Sequence, residues 1–164
     1  MKEIVVYHGT TQIVPHPLCK VGRPNLDFGQ GFYVTDIKEQ ALDWAFRMAR
    51  NKKTTPVLNR YLLNRDGYIK DGRSFIFKSY DEDWLRFIVA SRMEQNPAKD
   101  YDYIEGGVAN DRVVDTVNFY MQGFVTLETA LSRLSEHQPN NQICLLNQKL
   151  TDKYLIFDGT ERIE

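Results

Sequence analysis

Phe28-Gly29-Gln30-Gly31-Phe32-Tyr33-Val34-Thr35-Asp36 is the stretch whose reading decides the fold. Two glycines one residue apart, followed by an aromatic and β-branched run, describe a loop that turns into a short strand over Phe32 to Thr35. Asp36, with Glu39 three residues on, fits a capping box that opens a helix running to about Arg50. Ala41, Leu42, Ala45, Met48 and Ala49 then form its buried stripe. On the amino-terminal side, Val14 to Gly31 carries Pro15, Pro17, Pro24, Gly22, Gly29 and Gly31. Such a segment reads as an irregular loop, and its length suits a functional one. Before it, Glu3 to Tyr7 is a β-branched strand that leaves its sheet at His8-Gly9-Thr10-Thr11.

Beyond the first helix, strand and helix patterns interleave. Val57 to Leu63 reads as a strand and Asn64-Arg65-Asp66-Gly67 as a turn. Asp81 to Met93 repeats apolar residues at helical spacing in Trp84, Leu85, Ile88 and Val89. Tyr101 to Ile104 is a short strand, and Gly106-Gly107 separates it from a helix over Asp111 to Gln122 that Gly123 ends. Thr126 caps a further helix with Leu127, Ala130, Leu131 and Leu134 on its apolar face, which stops near His137 before Pro139. Gln142 to Leu146 and Tyr154 to Phe157 close the chain as strands. The pattern is that of an α+β fold, and with no repeat or low-complexity tract residues 1–164 read as a single domain.

Composition narrows the class. Of 164 residues 42% are hydrophobic, enough for a core, and 21 Lys+Arg against 22 Asp+Glu leave a formal charge of -1. That balance excludes the global basic field behind sequence-independent nucleic-acid binding, though not a local patch. Cys19 and Cys144 match no zinc spacing, and MKEIVVYHGT runs into a strand without a signal-peptide core, which points to the cytoplasm. The apolar runs fall short of the ~20 residues that cross a bilayer, so no membrane partner is expected.

Three segments together carry a resemblance. Val6-Tyr7-His8-Gly9-Thr10, Phe28 to Asp36, and Asn141-Gln142-Ile143-Cys144-Leu145 are similar, in the right order, to the three-part motif of ADP-ribosyltransferases of the diphtheria-toxin and poly(ADP-ribose) polymerase type. The resemblance implies a split, mostly antiparallel sheet with flanking helices, in which the strands bearing His8, Tyr33 and Gln142 lie side by side and their side chains line one cleft. It implies NAD as co-substrate and transfer of one ADP-ribose to an acceptor, protein or nucleic acid, with release of nicotinamide and no metal. Within that resemblance the chain lies nearest compact bacterial stand-alone members. These imply a toxin or effector role, with an antitoxin or immunity protein as partner.

Residue by residue, the resemblance makes His8, Tyr33 and Gln142 the catalytic set. His8 bonds the nicotinamide-side ribose, backbone groups of Gly9 hold the nicotinamide carboxamide, Thr10 beside it also belongs to the cofactor-binding set, Tyr33 stacks on the nicotinamide ring, and Gly29 and Gly31 let the loop close. Trp44 supplies the opposite wall. Gln142 stands where many such transferases carry a glutamate; its amide can hydrogen-bond the ribose but cannot supply negative charge to a cationic transition state. Glu105 and Asp111 are candidate substitutes for that charge. Arg23 and Arg112 are candidates for the pyrophosphate or target, and Asn25 and Asp27 for the adenosine half or the loop. Because Gln142 is neutral, a silent module that binds NAD or ADP-ribose is the alternative, and a purely structural α+β domain the third reading.

Overall fold

The computed structural model describes residues 3–23, 26–137 and 140–163. Its first strand, β1 (Ile4–Thr10), pairs antiparallel with β3 (Val57–Leu63), which pairs in turn with β7 (Leu155–Arg162), giving a three-stranded sheet ordered β1-β3-β7. A second sheet runs β2-β6-β5-β4, from β2 (Phe32–Val34), β6 (Gln142–Leu145), β5 (Tyr103–Gly106) and β4 (Ser74–Ile76). Its β2–β6 and β5–β6 pairs are antiparallel and β4–β5 is parallel. Among the described residues the sheets are joined by one isolated bridge, Tyr7 to Thr35. The architecture is α+β, with mixed sheets and flanking helices.

Two buried clusters follow from strand alternation. Val6, Phe32, Val34, Tyr61, Ile143 and Leu145 meet in one, with Tyr68 of α2 (Arg65–Asp71) among them. In the other, Phe28 and Cys144 pack with residues of α3 (Glu82–Arg92), α4 (Asp111–Met121) and α5 (Leu127–Leu134). α6 (Gln148–Tyr154) runs directly into β7.

The helix after the decisive stretch is α1 (Lys38–Lys52), and Ala41, Ala45 and Ala49 are its buried residues. The expected capping box does not form. Ile37 is the N-cap, its N–H donating to Thr35 Oγ1 at 3.1 Å, while Asp36 turns away to accept from Asn141 Nδ2 at 3.1 Å. Asp81 and Thr126 do cap α3 and α5, accepting from the N–H groups of Trp84 and Thr129. Asn64-Arg65-Asp66-Gly67, expected as a turn, instead starts α2, because the Asn64 side chain accepts from Gly67 N–H. α6 was not expected at all; Asn147 caps it by accepting from Leu150 N–H.

The small residues of α1 allow a backbone-to-backbone seat on β1. A Cβ at Gly9 would lie 2.0 Å from the Ala41 carbonyl oxygen and 3.0 Å from the Ala45 nitrogen. No side chain fits between. Gly9→Ala should therefore push α1 off β1 and lower stability by about 1–3 kcal/mol, the usual cost of overpacking. Urea unfolding of the two proteins checks this, and an unchanged midpoint would mean that α1 is not seated here.

Candidate functional site

The site is built on the place where the two sheets part. Tyr7 N–H donates to Thr35 C=O at 2.8 Å and Thr35 N–H to Tyr7 C=O at 3.0 Å, a full antiparallel rung. Continued by two residues, the register would set Gly9 opposite Tyr33. There the Tyr33 carbonyl is instead taken by His8, whose Nδ1 lies 2.7 Å away. An imidazole side chain thus occupies the position of a backbone rung, and the strands diverge. By strand alternation the N–H and C=O of Gly9 face the opening. Thr10, buried at the end of β1, pairs with Val57.

Chemistry fixes the tautomer of His8. A carbonyl only accepts, so Nδ1 carries the hydrogen and, in the neutral ring, Nε2 is left as an acceptor. Burial lowers the imidazole pKa from its ordinary 6.5, with the bond to Tyr33 opposing the shift. The ring is neutral at physiological pH. It lies over Phe32 with centroids 4.4 Å apart. Nε2 has no partner among the described residues.

Cross-strand neighbours share a face. Gly106 pairs with Gln142, and the β2–β6 register, extended by one residue, puts Gln142 opposite Thr35 and hence in line with Tyr7. Tyr33, opposite Cys144, belongs to the same face, over which α1 is seated through Gly9. His8 leaves β1 by the other face, with Phe32, and reaches Tyr33 through the gap. The three expected residues therefore come from neighbouring strands, as expected, but their side chains do not share one face: Tyr33 and Gln142 lie on one and His8 on the other, because residue parity along β1 and β2 alternates. Gln142 Nε2 is buried and has no hydrogen-bond partner. A buried amide donor without an acceptor costs about 1–3 kcal/mol, so its retention calls for a reason.

Tyr33 has further work. Its hydroxyl donates to Gly29 C=O at 2.6 Å and accepts from Phe28 N–H at 3.1 Å, and burial pushes the phenol pKa above its usual range. The hydroxyl ties the glycine loop to β2, while the ring packs against the cluster around Phe28. Both loop glycines are required by packing. Gly29 has φ +92 and a Cβ there would lie 2.5 Å from Ala98 Cβ; at Gly31 it would lie 2.5 Å from Cys144 Sγ.

Of the other expected residues, Trp44 is 50% exposed on the flank of α1, three residues after Ala41. Glu105 is engaged. It accepts from Arg65 Nε at 2.8 Å and from the Tyr103 hydroxyl, and Asn141 Nδ2 lies 3.3 Å away, an arrangement that ties α2 to β5. Asp27 sits 3.8 Å from Arg92, and its carbonyl accepts from Ser91 Oγ, which holds the loop to α3. Arg23 and Arg112 are exposed. Asn25 and the Asp111 side chain lie outside the described residues.

Gln40 and Asn141 are the residues that sequence reasoning missed. Gln40 Nε2 donates to Asn141 C=O at 2.7 Å, and Asn141 N–H donates to Gln40 Oε1 at 3.2 Å. No local signal marks the pair, because Gln40 looks like any polar helix residue and its partner is 101 residues away.

Among the described residues no three His, Cys, Asp or Glu side chains are grouped to hold a metal, and no helix is long and apolar enough to cross a membrane. The chain belongs to the family of proteins of unknown function DUF3990, whose profile matches residues 4–157. No curated protein and no solved structure matches it.

The lowered pKa of His8 predicts a pH dependence. As pH falls below 6.5, the unfolded chain binds a proton that the folded chain resists, so stability drops until the lower folded pKa is passed. His8→Gln keeps a donor for the Tyr33 carbonyl but cannot titrate, and should show a shallower loss. Urea midpoints measured from pH ~7.5 to ~5 compare the two; parallel profiles would contradict the buried neutral imidazole.

Proposed function

We propose that the parting of β1 and β2 is an NAD site and that the protein is a mono-ADP-ribosyltransferase, its two sheets forming the split core of that fold type. The observation that carries this reading is the set of groups where β1 and β2 part: the tautomer-fixed His8, the backbone of Gly9 on the β2 side, and, on β6 in line with Tyr7, the buried, unpartnered amide of Gln142. These groups suit the ligand. Gly9 offers one donor and one acceptor to a carboxamide, and Nε2 of His8 can accept from a ribose hydroxyl. Gln142 Nε2 gains the acceptor it lacks when a ribose oxygen reaches it. Tyr33, with Trp44 on α1, provides aromatic surface for a flat heterocycle.

NAD supplies the ADP-ribosyl group and the nicotinamide leaving group. The chain's part is orientation: His8 and Gln142 hold the ribose and Gly9 the carboxamide. Glu105 is neutralised by Arg65, and the Gln142 amide carries no charge, so stabilisation of the positive charge that develops at the ribose is weak, and turnover is slow. The acceptor is a protein or a nucleic acid. Buried, unpaired Cys19 and Cys144 are compatible with a cytoplasmic setting, where an antitoxin or immunity protein would restrain such an activity.

The neutral amide also favours a second reading, a module that binds NAD or ADP-ribose and does no chemistry. Gln142 separates the two. Gln142→Glu puts a carboxylate where charge develops and should raise nicotinamide release by about two to three powers of ten, from roughly 3–4 kcal/mol of preorganised electrostatics. Gln142→Ala should lower it without unfolding the protein. Three equal rates above background would remove Gln142 from the site. Release by none of them, with NAD binding intact by calorimetry, would establish the silent module, and no binding at all would end the NAD reading.

A further inference from the structure

We propose that Gln40 is a positioning residue of this site, holding Gln142 at a fixed distance from α1 through its clamp on Asn141. The proposal rests on the NAD reading above. β2 ends at Val34, and the chain then turns at Thr35 to Ile37 into α1, so β6 has no strand beside Asn141 on that side. Gln40 takes the strand's place. Its carboxamide makes two opposed bonds, 2.7 and 3.2 Å, to the C=O and N–H of one residue, as a neighbouring strand would. Because a backbone N–H can only donate and a C=O can only accept, the orientation of the Gln40 amide is set by its partners.

Further bonds converge on the same residue. Thr35 Oγ1 donates to the Asn141 carbonyl at 2.7 Å, and Asn141 Nδ2 reaches Asp36 and Glu105 at 3.1 and 3.3 Å. Asn141 is thereby held by its backbone and its side chain, and Gln142 follows it directly in the chain. Gln40 in turn precedes Ala41, whose carbonyl meets Gly9. One turn of α1 thus touches β1 at Gly9 and β6 at Asn141, on both sides of the opening. The spacing between Gly9 and Gln142, the two groups that would hold opposite ends of the nicotinamide riboside, is set by this turn.

The test compares Gln40→Met, which keeps length but no hydrogen bond, with Gln40→Glu, which still accepts from Asn141 N–H but meets its carbonyl with a second acceptor. Each is made in wild type and in Gln142→Ala. The readouts are melting temperature, calorimetric Kd for NAD, kcat and KM for nicotinamide release, and hydrogen exchange of the Asn141 amide. Misplacement of a reacting group by about 1 Å costs on the order of a hundredfold. Gln40→Met should lower kcat by about ten- to a hundredfold while still folded, with Gln40→Glu between it and wild type. Neither should lower it further in Gln142→Ala, because residues that act through one another are not additive. If the wild type binds without turnover, the same pattern is read in Kd.

Full turnover and binding in Gln40→Met, or additive losses in the double variants, would overturn the proposal. If Gln40→Met does not fold, the Gln40→Glu series decides by the same comparison. A wild type that neither binds NAD nor releases nicotinamide brings down the function reading, and this assignment with it. Asn141 exchange that accelerates in Gln40→Met would then show the clamp to exist without that site.

Discussion

A hydrogen bond from the imidazole of His8 to the carbonyl of Tyr33, 2.7 Å long, is the constraint on which the rest of the structure turns. Had Gly9 N–H taken that carbonyl, β1 and β2 would have zipped on past Tyr7 and Thr35, and the two sheets would have merged. The side chain holds them together while it keeps them apart. It also settles its own protonation, because a buried ring that donates to a carbonyl through Nδ1 is left with an acceptor at Nε2. Past that bridge the edge backbone of Gly9 has, among the described residues, no strand partner on the β2 side, and Gln142, two strands away on β6, keeps a buried amide donor without an acceptor.

The opening is braced from both sides. On β1, the lack of a side chain at Gly9 lets α1 sit backbone to backbone; on β6, Gln40 holds Asn141. On β2, the Tyr33 hydroxyl fastens Phe28 and Gly29, and Gly31 lies flat against Cys144. These contacts are short, polar or steric, and distributed over elements far apart in the chain. Such bracing fixes the relative positions of β1, β2 and β6 before anything binds. Beside these braces, Gln142 Nε2 stays a buried donor without an acceptor.

Much of this frame was legible in the sequence, and the failures have physical causes. β3 falls on Val57 to Leu63, as its short apolar segment ended by Asn64 and Gly67 implies, and the caps at Asp81 and Thr126 are local chemistry. Asn64-Arg65-Asp66-Gly67 reads as a turn because asparagine and glycine favour one. The same asparagine also caps helices, and Gly67 is needed only because the Tyr154 ring would lie 2.5 Å from a Cβ there. Asp36 and Glu39 have capping-box spacing, but Asn141 competes for Asp36 from 105 residues away. The adjacency of His8, Tyr33 and Gln142 was visible through their motifs; the escape of His8 through the opposite face, and the clamp of Gln40, depend on register and remain invisible until the strands are paired. Gly29 and Gly31 are also held to glycine by the fold itself, Gly29 by its positive φ and the nearby Ala98, Gly31 by the nearby Cys144.

The central claim is that the opening between β1 and β2 receives NAD. The most direct measurement is a titration of the 15N-labelled protein with NAD, followed through backbone amide resonances. The account predicts that Gly9, Tyr33 and Gln142 shift together and saturably, with Phe124 and Ile156, exposed and distant in the topology, unmoved. Shifts confined to other residues, or none at NAD concentrations in the millimolar range, where even a weak Kd of about 1 mM corresponds to only ~4 kcal/mol, would contradict it.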